Sequence, residues 1–582
     1  MELPTDAAIA PELARRQRLL AVARGDAEPD LVVTGGRVFC APTREWLDGD
    51  VGIAEGRIAG VGHFAGGERV EAAGRPVVPG FVDAHVHIES SKLTPAEFAR
   101  VVVPRGTTTV VVDPHEIANV LGLDGVRWFV DSARDLPLSV LALAPANVPA
   151  SALESPRWAF TPRDVAALSR EPGMLGVAEM MNFPAVVAGD ADELAKLLLS
   201  GRPADGHAPG LDGRELDAYV AAGIQSDHEA TTLREALAKR RRGLWVLLRE
   251  ASNASNLRTL LPLVLEHGPE WCAFCTDDRE PTHLLRDGHI DDLCRIERAG
   301  GVAAEDVLLL ASTHPARCHG LHDRGLIAPG RRADVLILDD LERFTPAVVI
   351  AGGRIVARSG QASPFAAATA PAWVTQSMNA APLAPADLAL AAPAGGAEVR
   401  AIGMVPGQLL TTAVAVAPRV LDGVVTADPA RDLAKLAVVE RHASSGRVGV
   451  GLVHGFGLRA GAFASTVAHD AHNLVVVGVE DADMAACVAR LGQLGGGVCV
   501  VRDGVVLSEL ALPVAGLMSE RPAAEVAAAL QAIEADLAAL GVTLPEPVMA
   551  LSFVALSVIP ELKLTDRGLI DVARGAVVPF AI

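Results

Sequence analysis

The chain has 582 residues, more than one ordinary hydrophobic core accommodates, so several domains are expected. Half of the residues are hydrophobic but only 4% are aromatic, a composition suited to α/β packing and not to disorder. The formal net charge of −20 argues against a surface for nucleic acid or anionic membrane and favours a protein acting on a small molecule. Seven cysteines in so long a chain do not form a disulfide framework, which fits a reducing cytoplasm.

Two strand-rich segments flank a longer region of mixed pattern. Residues 1–78 predict an N-terminal helix, without the apolar core of a signal peptide, followed by the first part of a small β domain. Residues 328–375 predict the second part of that domain and an Ala/Pro-rich linker, and GGRIV there echoes GGRVF near residue 35. We therefore predict one small β-sandwich domain assembled from both ends.

Between these segments, residues 79–327 alternate apolar strand runs with helical patterns. The runs include TTTVVVDP, LSVLALAPA, LGVAEMMN, LWVLLREA and EWCAFCTDD, and each ends in polar or ionisable residues. This alternation over about 250 residues is what a (β/α)8 TIM-like barrel requires, with its active site at the carboxyl ends of the strands. The fold class predicted is thus α/β: a barrel inserted in the β domain, followed by a C-terminal α/β-type domain over residues 376–582.

The most informative motif is His85-Val-His87, at the end of the run VVPGFVDAHVH. Successive side chains of a strand alternate in direction, so the two histidines share a face. An isolated pair of this kind is more often structural than a metal site. This pair follows a buried-looking strand and is answered downstream by more His, Glu and Asp, which favours a metal site.

Later strand ends supply further metal ligands by type. In chain order they are Glu179 in GVAEMMNFP, His207 in ADGHAPG, His228 in QSDHEA and Asp277 in CTDD. Each has a plain alternative, because a loop histidine is usually solvated and a strand-end aspartate is often a helix N-cap. Together with the first pair they could hold two divalent ions, with Glu179 between them, and such ions activate water near neutral pH.

Two other clusters receive structural interpretations. The basic run from Lys239 to Arg242 ends the helical pattern TTLREALAKRRRG and is predicted to be a solvated last helical turn. In the C-terminal domain four histidines invite a second metal site, but no acidic cluster surrounds them. Packing, a domain interface or a lid over the barrel mouth is expected instead for His442, His454, His469 and His472.

Several long motifs resemble the adenine deaminase branch of the amidohydrolase superfamily. They include PGFVDAHVHIESSKLTP, GTTTVVVDPHEIANVLG, AAGIQSDHEAT and GAFASTVAHDAHNLVVVG, and the resemblance covers nearly the whole chain from about residue 30. It implies a binuclear site with Glu179 as the bridge and ligands His85, His87, His207, His228 and Asp277. The chain departs from the family pattern at Glu280, where a histidine is expected after Asp278-Arg279.

The resemblance implies hydrolysis of adenine to hypoxanthine and ammonia, in purine salvage, with two divalent ions per chain, Mn before Fe or Zn. Proton transfer from the attacking water is assigned to Asp277. Protonation of the purine ring is assigned to Glu116, with Glu229 as the alternative, although Glu116 also suits a helix start opposite the dipole. His115 and Asp278 are expected to contact the purine.

Other functions stay open at this point. One is a related amidohydrolase acting on another aminopurine or a cyclic amide, and another is a non-catalytic barrel paralogue. The expected partner is a small molecule, adenine, with no nucleic acid and no membrane. A homo-oligomer in the cytoplasm is expected.

Overall fold

A computed structural model describes residues 6–252 and 254–582 of the chain. The predicted N-terminal helix spans Asp6–Arg24, and the first five residues of that prediction lie outside the described residues. No helix in the described part of the chain is long and apolar enough to cross a membrane.

The two strand-rich segments pair in one mixed sheet. The strand-rich segment that follows the barrel joins the one that precedes it, because the strand Val335–Leu338 pairs antiparallel with Pro76–Pro79. Alternating apolar side chains of both segments, such as Val51 and Ile350, share one buried cluster. The nine strands are Leu31–Cys40, Glu45–Ala54, Arg57–Gly62, Glu68–Glu71, Pro76–Pro79, Val335–Leu338, Pro346–Ala351, Arg354–Arg358 and Gln361–Ala362.

Eight parallel strands form the barrel, and the predicted fold class is confirmed. The strands pair into a five-stranded and a three-stranded sheet. Two parallel β-bridges, between Ala204 and Ile224 and between Val86 and Asp277, join the two sheets into a closed ring. In order, the first to eighth barrel strands are Phe81–Val86, Thr107–Val112, Ser139–Ala144, Met174–Met180, Ala204–Gly206, Ser226–Asp227, Trp245–Arg249 and Cys272–Cys275. Because all eight run in one direction, their carboxyl ends meet at a single rim.

Helices cover the outside of the barrel and bury the apolar sides of its strands. They are Pro95–Val102, His115–Ser132, Pro162–Leu168, Phe183–Ala188, Ala191–Ser200, Gly213–Ala221, Leu233–Arg240, Leu257–His267, Pro281–Arg286, Ile290–Ala299, Ala304–Leu308 and His314–Cys318.

The C-terminal region is built on a mixed eight-stranded sheet. In sheet order its strands are Thr411–Val416, Val399–Met404, Val448–His454, Leu433–Val439, Leu474–Gly478, Ala462–Ser465, Gly497–Arg502 and Val505–Ala511. Three main helices pack with it, and a short three-stranded sheet follows; these elements are Asp481–Leu494, Ala523–Ala539, Pro547–Phe553, Leu562–Thr565, Gly568–Asp571 and Ala576–Val577. One apolar cluster runs from the barrel into this region, so the C-terminal region is packed onto the barrel.

The prediction that the basic run is solvated is wrong for its first residue, Lys239. Lys239, in the last turn of Leu233–Arg240, has no exposed side-chain area and donates to the Asp227 carboxylate at 2.6 Å and to the Ala208 carbonyl at 2.9 Å. Asp227 is the last residue of the sixth barrel strand, so the lysine pairs with a carboxylate of the barrel. A buried lysine is tolerated because two carboxylates, those of Asp227 and Glu235, neutralise it.

Candidate active site

The predicted ligands converge at the carboxyl rim of the barrel. His85 lies near the end of the first strand, Glu179 near the end of the fourth, and Asp277 follows the eighth. His207 and His228 directly follow the short fifth and sixth strands. Five of these side chains are almost completely buried and His207 is partly buried, so the strand ends bring distant parts of the chain to one enclosed point.

Glu179 lies at the centre of the cluster, and its two carboxylate oxygens face different histidines. Oε1 is 3.3 Å from His87 Nε2 and 3.9 Å from His85 Nε2. Oε2 is 2.7 Å from His207 Nδ1 and 3.3 Å from His228 Nε2. A carboxylate with one oxygen toward each histidine pair is the arrangement expected of a bridging ligand.

Asp277 completes the first histidine pair. Its Oδ1 lies 3.3 Å from His87 Nε2 and 3.8 Å from His85 Nε2. Its backbone ties the eighth strand to the first, because Asp277 N–H donates to the His85 carbonyl at 3.0 Å and the Asp277 carbonyl accepts from His87 N–H at 3.3 Å. The closure of the barrel therefore fixes three candidate ligands together.

The donor set fits divalent cations. His87 Nδ1 lies 3.0 Å from the Asp113 carbonyl oxygen, which can only accept, so Nδ1 carries a hydrogen. His87 Nε2 then faces two carboxylate oxygens, and either a second proton or a cation must lie between them. Imidazole nitrogens mixed with carboxylate oxygens are ligands that Mn, Fe and Zn accept, and carbonyl anchoring of the far nitrogen is typical of metal-bound histidine.

Arg249 was missed in the sequence and lies beside the ligands. It ends the seventh strand, forms an ion pair with Glu229, and donates from Nη1 to Asp277 Oδ2 at 2.7 Å. Burial alone would raise the pKa of Asp277, but the Arg249 charge and the neighbouring histidines outweigh it and hold that pKa well below its usual range. The only sequence signal was its place at the end of a strand run, VLLREA.

Glu229 is also held ionised. Burial would raise its pKa, but the charges of Arg249, His207 and His228 lower it to about 2. Glu229 Oε1 lies 3.4 Å from His228 Nε2. It is thus an acceptor at neutral pH, which disfavours it as a proton donor.

Glu116 has the opposite character. It lies in the first turn of His115–Ser132, fully buried, and accepts from Ser90 Oγ at 2.7 Å. Burial, and then the negative charges of Glu89 and Asp278, raise the pKa of Glu116 to about 8. Ser90 Oγ also lies within hydrogen-bond distance of Asp278 Oδ1, so one hydroxyl, which has a single hydrogen to donate, lies between the two carboxyl groups.

His115 extends the cluster toward the C-terminal region. Its Nδ1 lies 3.1 Å from Asp113 Oδ2 and 3.8 Å from Glu179 Oε1, while Nε2 lies 3.7 Å from Asp470 Oδ1. Asp113 and Asp470 were not singled out in the sequence. Asp113 ends the run TTTVVVDP, a signal of the kind used for Asp277, whereas nothing local marks Asp470.

Glu280 lies behind the site and does not line it. Its carboxylate accepts from Lys92 Nζ at 2.7 Å, and both side chains are buried. Lys92 also lies within 3.4 Å of the Ser90 carbonyl oxygen, so the residue that departs from the expected pattern supports the loop carrying Ser90.

A pocket opens above the cluster and is closed on its outer side by the C-terminal region. The lining combines the barrel residues described here with six residues of that region, Leu409, His469, Asp470, Phe553, Leu556 and Ile559. His469 therefore lies at the barrel mouth. His442, which lies 2.7 Å from the Ala471 carbonyl oxygen, is buried in the region's own packing.

Comparisons with known proteins agree with this architecture. Residues 77–356 match the amidohydrolase family, and residues 408–576 match the adenine deaminase C-terminal domain. An adenine deaminase of Cereibacter sphaeroides is 46% identical over 96% of this chain and 98% of its own length. Adenine deaminase of Brucella suis is 45% identical over 94% of this chain and 93% of its own length. Adenine deaminase 2 of Carboxydothermus hydrogenoformans is 43% identical over 97% of this chain and 99% of its own length. The chain belongs to the adenine deaminase family.

Proposed function

We propose that this protein catalyses the hydrolytic deamination of adenine to hypoxanthine and ammonia. The observation that carries the proposal is the pairing, in one buried pocket, of the Glu179-centred ligand cluster with the carboxyl group of Glu116. Hydrolysis at C6 of a purine needs a nucleophilic water and a proton donor on the same ring. The identity to adenine deaminases along nearly the full chain supports adenine as the substrate.

Two divalent ions per chain, Mn before Fe or Zn, are part of this proposal. His85, His87 and Asp277 would hold one ion, His207 and His228 the other, and Glu179 both. When bound, such ions lower the pKa of water, so that a hydroxide nucleophile is available near neutral pH.

Asp277 is the proton acceptor for the attacking water. It is ionised, since the nearby Arg249 charge holds its pKa low, and Arg249 fixes one of its oxygens at 2.7 Å. The same carboxyl then returns the proton to the departing amine, so that ammonia leaves and not an amide anion.

Glu116 protonates the purine ring. Its raised pKa keeps the carboxyl group protonated at neutral pH, and Ser90 fixes one of its oxygens. Adding a proton to the ring nitrogen beside C6 lets that carbon become tetrahedral without full negative charge on the ring. His115 and Asp278, which flank Glu116 in the pocket, contact the purine in this arrangement.

The test is ammonia release by metal-reconstituted protein from a panel of free bases, with adenine, guanine, cytosine and 2-aminopurine supplied separately. Adenine should be turned over with hypoxanthine as the product, identified by its ultraviolet spectrum. Ammonia from cytosine or guanine at a rate equal to that from adenine would reject the assignment. The cellular role proposed with it is purine salvage in the cytoplasm by a homo-oligomer.

A further inference from the structure

A loop of the C-terminal region brings two polar side chains into the pocket. It connects the strands Ala462–Ser465 and Leu474–Gly478 and carries His469 and Asp470. Their exposed fractions are 3% and 2%, and both line the pocket opposite the barrel strands. The proposed proton transfers use neither residue.

The loop is held rigidly. His469 N–H donates to the Ser552 carbonyl at 3.0 Å, and His472 N–H donates to the Ala468 carbonyl at 2.8 Å. The His469 ring stacks on Phe553, with centroids 4.4 Å apart and an angle of 9° between the planes. The two pocket side chains are therefore positioned before a ligand arrives.

Each side chain has a polar neighbour near one of its polar atoms and, in the described part of the chain, none near the other. His469 Nδ1 lies 3.6 Å from Glu116 Oε1, and Asp470 Oδ1 lies 3.7 Å from His115 Nε2. His469 Nε2 and Asp470 Oδ2 are buried without a hydrogen-bond partner among the described residues. Because buried polar atoms are nearly always paired, two free ones lining a single pocket indicate a ligand that pairs with them.

The ionisation of Asp470 determines which kind of ligand group can pair with it. Burial would raise the pKa of Asp470, but the neighbouring His115 side chain, 3.7 Å away, outweighs it and lowers that pKa, so the carboxyl is ionised and can only accept. Adenine has two kinds of donor, its exocyclic amine and the N–H of its five-membered ring. The amine must face the Glu179 cluster to be released, which leaves the ring N–H for Asp470.

We propose that Asp470 accepts a hydrogen bond from the N9–H of the five-membered ring of adenine, and that His469 binds N7, the other nitrogen of that ring. This inference rests on the proposed function. Apolar side chains on the same side of the pocket, Leu409, Phe553, Leu556 and Ile559, cover the flat ring. The C-terminal region then selects the free base. A substituent on the nitrogen that faces Asp470 replaces the hydrogen of the hydrogen bond and clashes with the carboxylate.

The experiment compares adenine with 9-methyladenine, which lacks the ring N–H. Asp470→Ala should raise KM for adenine about 10- to 100-fold, the loss expected for one hydrogen bond to a charged group, with kcat changed much less. The preference for adenine over 9-methyladenine in kcat/KM should fall by the same factor. His469→Asn should raise KM for adenine as well.

Asp566→Asn is the matched control, since Asp566 is a buried aspartate of the same region that pairs with Arg447 at 3.2 Å and lies outside the pocket. It should leave both KM and the preference unchanged. An unchanged preference in folded Asp470→Ala would overturn the inference.

A binding measurement on the wild type keeps the test independent of how the variants fold. Calorimetry should give hypoxanthine a Kd at least about tenfold lower than 9-methylhypoxanthine. Equal affinities would overturn the inference even if every variant misfolded. Failure of the wild type to release ammonia from adenine would instead refute the proposed function, so the two failures are distinguishable.

Discussion

Glu116 and Glu229 lie in one pocket, yet their surroundings give them opposite protonation states. Glu229 is next to the Arg249 guanidinium and stays ionised, whereas Glu116 is buried near the carboxylates of Glu89 and Asp278. Two carboxyl groups whose pKa values are pushed apart are a common basis for acid and base roles in one site. The raised pKa therefore favours Glu116 as the acid.

Glu116→Gln tests this assignment directly. Glutamine keeps the shape and can accept from Ser90 but has no acidic proton, so turnover should fall about 10²- to 10⁴-fold while the metal content stays at the wild-type level. Elemental analysis and steady-state kinetics measure the two quantities. Loss of metal would mean that Glu116 is a ligand, and near-wild-type turnover would leave it as a helix-start carboxyl.

Glu297→Gln is the matched control for that substitution. Glu297 is a fully buried carboxyl group whose pKa burial raises to about 8, but it lies in the helix Ile290–Ala299, outside the pocket. The control separates the loss of a buried carboxyl group from the loss of the catalytic acid, because its turnover should equal that of the wild type.

The pH dependence of kcat/KM should report the same group. The pKa of Glu116 is raised to about 8, so the carboxyl is protonated below that pH and loses its proton above it. Since the protonated form is the active one, kcat/KM should fall as pH rises through about 8. A pH profile of the Glu116→Gln enzyme should lack this decline, and a decline that persists there would assign it to another group.

Barrel strands determine which ligands can meet. Glu179 lies near the end of the fourth strand, across the ring from the first strand with its two histidines. Because its two oxygens face different histidine pairs, it is the one side chain that both proposed ions share. Its removal should therefore affect both.

Glu179→Gln should lose most of the two divalent ions that we expect per wild-type chain. An amide is neutral and a weak ligand, so the charge that links the two histidine pairs is lost. Metal content after reconstitution and dialysis is the measurement, with Glu297→Gln expected to retain both ions. A fully active wild type that binds at most one ion would contradict the binuclear site.

At the scale of the molecule, the C-terminal region completes the candidate active-site pocket. Its apolar core is continuous with that of the barrel, and its residues form the outer side of the pocket. The pocket is therefore formed by two parts of the chain that are separated in sequence by the second part of the small β domain and the linker.

Adenosine should consequently be a poor substrate. With the base in the orientation proposed for Asp470, the ribose would have to occupy the volume filled by the C-terminal residues around Asp470 and Phe553. We expect kcat/KM for adenosine to be lower than for adenine by about 10² or more, because overlap with a packed wall cannot be relieved by small shifts. If kcat/KM, measured from ammonia release, were comparable for adenosine and adenine, the C-terminal region would not close the pocket against a ribose.

The sequence alone was sufficient for features that depend on local pattern. Strand runs ending in polar residues predicted the barrel, because parallel strands direct their carboxyl ends to one rim. The HxH motif predicted a shared face, because side-chain direction alternates along a strand. The family resemblance added the roles of residues such as Glu179, which no local pattern assigns.

Which charges pair across the chain depends on contacts that form only when the chain folds. Lys239 reads as a solvated helix end, but packing against the sixth strand buries it on Asp227. Asp470 lies 355 residues after His115, yet the two side chains are 3.7 Å apart. Periodicity reports the environment within an element, whereas the protonation state and partner of a buried group depend on residues that folding brings from elsewhere.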